Sequence, residues 1–162
     1  MIALLVISVL ASVTDVRTRT IPNGCCLGIA LCGLALQAMR SWAPGLLAAL
    51  PLTGWLAAVL PPPASCVIWG VGMLAGGVTL ELLRRAFVGR EGMGLGDVKL
   101  LAAWAAGIGW LVLPALALAC LAGALFAIVR RERTFAMAPW LTAGFLAVLV
   151  LARFAYPSLL GW

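Results

Sequence analysis

The run Gly92-Met93-Gly94-Leu95-Gly96-Asp97-Val98-Lys99-Leu100 sets an acid and a lysine at the threshold of a long apolar segment, behind glycines on alternate positions. Glycine lets another backbone come close and permits φ > 0. An acid where a segment enters a membrane is costly, and such acids mark functional sites. The same residue type also caps helices, because its carboxylate accepts from the unpaired N–H groups of the first turn. On this run alone both roles are open for Asp97. A second acid, Asp15, stands in a similar setting at the end of the first apolar segment.

Composition says what kind of molecule surrounds this run. The chain has 162 residues, of which 65% are hydrophobic and 10% charged. Mean hydropathy is +1.16, whereas soluble domains carry roughly 25% charged residues. The expected fold is an all-α polytopic membrane protein, one membrane-embedded domain over residues 1–162 with no soluble domain. Eleven Lys and Arg against five acids give a net charge of +6. The basic residues sit in short loops between apolar runs, the pattern that sets membrane orientation, so nucleic acid is not an expected partner. There is no histidine, hence no imidazole base and no His-ligated metal. Cys25, Cys26, Cys32, Cys66 and Cys120 form no C-x-x-C pair and lie in apolar segments. They read as small buried apolar residues rather than a metal framework. No metal or cofactor is expected.

Along the chain, residues 1–14 are a short apolar segment without a basic start, read as a retained span. Residues 15–20 form a polar loop, and Ile21-Pro22-Asn23 opens a second span, with Asn23 able to cap it. Further spans are expected over 64–83, from Asp97 to Trp110, after Pro114 to Val129, and over roughly 135–160, where Pro139 and Arg153 interrupt. Residues 43–60 are apolar but broken by Pro44, Pro51 and Gly54, and read as a re-entrant or interfacial piece. If that piece does not cross, Arg17, Arg19, Arg84, Arg85, Arg90, Lys99, Arg130, Arg131 and Arg133 share one face, nine of the eleven basic residues. Positive-inside bias favours this arrangement of about six transmembrane helices. It sets Asp15 and Asp97 at one membrane depth, on the cytoplasmic side. Gly70, Gly72, Gly76 and Gly77 read as a seam where helices approach closely. Trp42, Trp110, Trp140 and Trp162 suit interfacial anchoring.

Two carboxylates at one depth on different helices make a candidate catalytic dyad. Like charges a few ångströms apart do not both ionise comfortably, so the pair holds one proton between them. The ionised member activates a water; the protonated member polarises the scissile carbonyl and later donates to the leaving amine. The titration belongs to the pair, so the base is not assignable to one Asp. The other reading pairs Asp15 with Arg17 or Arg19 and uses Asp97 as a cap.

The two motifs resemble those of the prepilin leader peptidases. Asp15 with Arg17 and Ile21-Pro22-Asn23 looks like that family's first aspartate motif. Gly94-Leu95-Gly96-Asp97 looks like its G-x-G-D signature, and Lys99 to Trp110 continues in the family's manner. The resemblance implies an aspartic membrane endopeptidase of the bacterial inner membrane. It implies removal of the basic leader from type IV prepilins or pseudopilins, substrates that also carry a transmembrane helix, at the cytoplasmic face of the lipid bilayer. Asp15 and Asp97 carry over as the catalytic pair. Gly94 and Gly96 are weaker candidates for substrate contact. Lys99 either orients an acid of the substrate or snorkels to lipid headgroups. The chain lacks the paired C-x-x-C region of many bacterial members, so neither methyltransferase activity nor zinc is expected. Residues 137–144 resemble a family segment only loosely, and their role stays open.

Two other readings compete. Proteases of the presenilin kind carry a Tyr-Asp motif, but the only tyrosine is Tyr156, far from both acids. A small proton- or ion-coupled transporter would use Asp15 and Asp97 as a relay. Such proteins usually bind at the membrane midplane between matching halves.

Overall fold

The computed structural model describes residues 2–43, 45, 59–88, 94–131 and 136–159. These residues form long helices and, among them, no strand: α1 (Ile2–Thr18), α2 (Asn23–Trp42), α3 (Pro63–Val88), α4 (Leu95–Ile108), α5 (Val112–Arg130) and α6 (Ala138–Leu159). A 3-10 turn at Gly109–Leu111 joins α4 to α5. Gly109 takes φ +59°, a conformation costly for residues with a Cβ, and the chain reverses there. Pro114 and Pro139 fall in the first turns of α5 and α6, where a missing N–H costs nothing.

Side-chain meetings fix each helix's direction. Asp15 meets Ala138 and Ser12 meets Thr142, so α1 and α6 are antiparallel. Lys99 reaches Asn23, while Gly33 and Gly107 touch, so α2 and α4 are parallel. Gly70 faces Ala106 and Gly77 faces Val98, so α3 runs against α4. Gly144 lies against Ala115 and Ala119, and the Phe126 and Trp140 rings are 5.1 Å apart, so α5 runs against α6. Successive helices alternate in direction, and the chain is an all-α polytopic membrane bundle. By length and composition four stretches can cross a bilayer: 23–42, 63–87, 95–130 and 138–155. The difference from six has two sources. Residues 95–130 hold two helices folded back at Gly109, and α1, with 17 residues, is at the lower limit of spanning length.

Most of the Pro-broken segment 43–60 lies outside the described residues. Its flanks, however, meet: Arg40 Nη1 donates to the Leu60 and Pro61 carbonyls. Both flanks therefore sit at the same end of the bundle, as the directions of α2 and α3 require. Arg40→Leu leaves these carbonyls without that donor, at about 1–3 kcal/mol per buried unsatisfied group. A lower melting temperature in detergent is the expected result.

The core is centred on α4, whose residues from Leu100 to Ala105 are all buried. Trp104 stacks on Phe145 of α6 at 4.7 Å. Where α4 ends, Gln37 Nε2 donates to the Gly107 carbonyl at 2.8 Å, satisfying an orphan acceptor of the last turn. The glycine seam is only partly as the sequence suggested. Gly70 and Gly77 are against α4, but among the described residues Gly72 and Gly76 have no neighbour within 4 Å of an added Cβ. Outside that seam, Gly33 crosses Gly107 backbone to backbone. Cys26 and Cys66 are buried, Cys25 and Cys32 partly so, and Cys120 is exposed on the outside of α5, contrary to a uniformly buried set.

Candidate active site

Leu4, Ser8, Ala11 and Asp15 are the buried residues of α1, and their spacing of four, three and four draws one stripe on the helix. The stripe turns Asp15 inward. The expected polar loop at residues 15–20 starts later, because α1 continues through Thr18. The Thr14 and Thr18 hydroxyls bond carbonyls one turn back, and Arg17 suits the helix C-terminus, so a polar turn stays helical. Arg19 ends the helix in the left-handed region at φ 54°, its N–H on the Asp15 carbonyl at 2.9 Å.

Asp15 is 6% exposed. Its Oδ2 accepts from the Ala138 N–H at 3.1 Å, the first amide of α6. A carboxylate at a helix N-terminus gains from the unpaired N–H groups and the helix dipole. Among the described residues Asp15 makes no ion pair with Arg17 or Arg19; the one that forms is Glu81 with Arg85, at 2.9 Å. Sequence reasoning missed the α6 amide. Pro139, a residue favoured in the first turn of helices, was the signal that a helix begins there.

Asp97 is the third residue of α4 and half-buried. The cap position belongs to Gly94, with no side-chain cap bond, so Asp97 is not the cap. Asn23 does not cap α2 either; Pro22 holds that position. Instead Asn23 Oδ1 accepts from Lys99 Nζ at 3.0 Å, which ties the first motif to the second. Gly96 lies against Ile21: an added Cβ would sit 3.3 Å from the Ile21 Cβ. Gly94 has more room, its nearest neighbour among the described residues being Asp97 Oδ2 at 3.6 Å.

These pieces enclose one cavity of about 260 Å³, lined by Asp15, Arg19, Thr20, Ile21, Asn23 and residues 94–97 and 99. The two acids, 82 positions apart in the chain, thus face a common space, within reach of solvent at the end of the bundle. Arg19 and Thr20 add a cation and a hydroxyl that sequence reasoning did not place there. Two carboxylates on one cavity can share a proton, bind a water and move a proton to or from a bound group. Among the described residues no group of three His, Cys, Asp or Glu could hold a metal ion.

The type IV leader peptidase family profile matches residues 2–128. A prepilin leader peptidase/N-methyltransferase of Pectobacterium carotovorum subsp. carotovorum is 44% identical over 85 residues, 46% of this chain and 30% of that protein. One of the same name from Aeromonas salmonicida (strain A449) is 50% identical over 62 residues, 36% of this chain and 21% of that protein. The matched stretch thus spans less than a third of either relative. No solved structure matches the chain. The profile covers α1 to α4 and nearly all of α5, both aspartates included, and on that extent the chain belongs to the type IV leader peptidase family.

Proposed function

We propose that the chain is an aspartic endopeptidase that removes the basic leader from type IV prepilins or pseudopilins. The observation that carries this reading is the meeting of Asp15 and Asp97 in one cavity. The ionised member of the pair takes a proton from water, whose oxygen adds to the scissile carbonyl carbon. The protonated member hydrogen-bonds the carbonyl oxygen, then gives its proton to the departing amine as the C–N bond breaks. The second activity in the relatives' names is not proposed for this chain.

The end of the bundle that carries Asp15 and Asp97 also carries Arg17, Arg19, Arg84, Arg85, Lys99, Arg130 and Arg131, while Arg40 lies toward the other end. Positive-inside bias supports placing the cavity at the cytoplasmic face of the bacterial inner membrane. A transporter relay is less well supported, since both acids sit at helix ends and not near mid-span.

The reading is tested by incubating the purified chain in lipid with a prepilin bearing its leader. A shortened product from wild type, absent with Asp15→Asn and with Asp97→Asn, supports it; uncleaved prepilin with wild type overturns it. The glycines supply a finer prediction. Gly96→Val drives a branched side chain into Ile21 and displaces the turn before Asp97, so activity and melting temperature should both fall. Gly94→Ala has room for its methyl and should keep the melting temperature. If substrate backbone passes over Gly94, cleavage by that variant drops about tenfold; wild-type cleavage would remove Gly94 from substrate contact.

A further inference from the structure

Two apolar grooves flank the cavity that holds the aspartates. The larger, about 670 Å³, lies between α2, α3 and α4. The other, about 460 Å³, lies between α1 and α6. Both are open at the outside of the bundle, and among the described residues each has one cation in its lining, Lys99 for the first and Arg17 for the second. They differ in one respect. The first shares Asn23 and Lys99 with the aspartate cavity; among the described residues the second shares none with it.

That continuity says what the first groove is shaped to hold. It follows α2 from Asn23 to Leu34, a length of roughly 16 Å or three helical turns. Its lining includes Ala30, Gly70 and Ala106, small residues of the kind that let a helix approach others closely in a membrane. Leu27, Val67 and Val71 are exposed around it. Among the described residues Lys99 is its only charge; it stands at the end that meets the cavity, held by Asn23. An occupant that fits is an uncharged apolar helix whose end reaches the aspartates. A lipid chain has no need of that connection and would fit the α1–α6 groove equally well.

We infer that the α2–α3–α4 groove seats the apolar helix of the substrate, so that the bond just before this helix passes Asn23 and Lys99 into the aspartate cavity. The inference rests on the peptidase reading. It makes α3, which carries neither aspartate motif, part of the surface that selects substrates.

The test uses the full chain in lipid nanodiscs and has two arms. In the first, a prepilin carries a photoreactive residue one or two turns after the cleaved bond, and the Asp97→Asn chain keeps it intact. Cross-links to Leu27, Val67 or Val71 are expected. Cross-links to Val9, Val13 or Leu146 of the other groove, or to lipid alone, overturn the inference. In the second arm, cleavage of full-length prepilin is compared with cleavage of a short peptide that ends before the apolar helix. Val67→Trp and Val71→Trp fill the groove and should lower the full-length-to-peptide ratio about tenfold. A fold defect would lower both activities and leave the ratio unmoved. Val13→Trp, in the other groove, should not change the ratio. An unchanged ratio in both groove variants overturns the inference while leaving the peptidase reading intact. Wild type that cleaves neither substrate overturns the peptidase reading, and the inference with it.

Discussion

Asp15→Asn and Asp97→Asn are each expected to lower leader cleavage by about 10³-fold or more, because general acid–base partners that act as a unit fail together when one is lost. Asn cannot take or give the proton, yet it keeps the size and shape of Asp. At position 15 it also keeps the fold, since its carbonyl oxygen can still accept from the Ala138 N–H that Asp15 Oδ2 now holds at 3.1 Å. Asp15→Ala separates the two roles. It should lose activity equally and also destabilise the protein by about 1–3 kcal/mol, because a buried amide loses its acceptor. The measurements are initial cleavage rates and melting temperatures in the same detergent. Cleavage by either Asn variant within tenfold of wild type would remove that acid from the chemistry. A melting temperature for Asp15→Ala equal to that of Asp15→Asn would remove the tie to α6.

A large effect on stability is expected at the α2–α4 crossing. A Cβ on Gly33 would stand 2.8 Å from Gly107 Cα, and one on Gly107 would stand 3.1 Å from Gly33 Cα. The neighbour is backbone, so no rotamer change relieves the clash, and the helices must part. Overpacking a well-fitted core costs about 1–3 kcal/mol and occasionally more. Gly33→Leu belongs at the upper end of that range or beyond, and should leave little folded protein. Gly33→Ala should fold with a clearly reduced melting temperature and reduced activity, since α4 carries Asp97 and α2 carries Asn23. Gly76→Ala is the contrast. Among the described residues nothing lies within 4 Å of its added methyl, and Ala is favoured over Gly inside a helix by about 1 kcal/mol. That variant should melt no lower than wild type. Equal melting of Gly33→Leu and wild type would mean that the two helices do not cross at these glycines.

The contrast among glycines shows where sequence reasoning stops. Gly70, Gly72, Gly76 and Gly77 look alike as a small-residue run on one helix. Only Gly70 and Gly77 meet α4, because a helix presents one stripe to a given neighbour and the other two point away. Gly33 and Gly107 did not stand out, since nothing in their own segments marks them and their significance lies in being opposite one another. The same holds for Asn23, whose side chain serves Lys99 rather than its own helix.

The amino-acid sequence on its own determined the class of the molecule, and it singled out the two acids that the structure brings to one cavity at one end of the bundle. Those follow from properties local in the chain: apolar runs long enough for a bilayer, acids at their ends, and basic residues gathered in alternate loops. Tertiary structure alone decided how Asp15 is held, which glycines are crossings, and which of two similar grooves opens onto the aspartates. Each of these joins groups far apart in the chain: Asp15 with Ala138, Gly33 with Gly107, Asn23 with Lys99. No spacing rule within one helix encodes such a pair, because it exists only once separate helices have been packed at a particular depth and rotation.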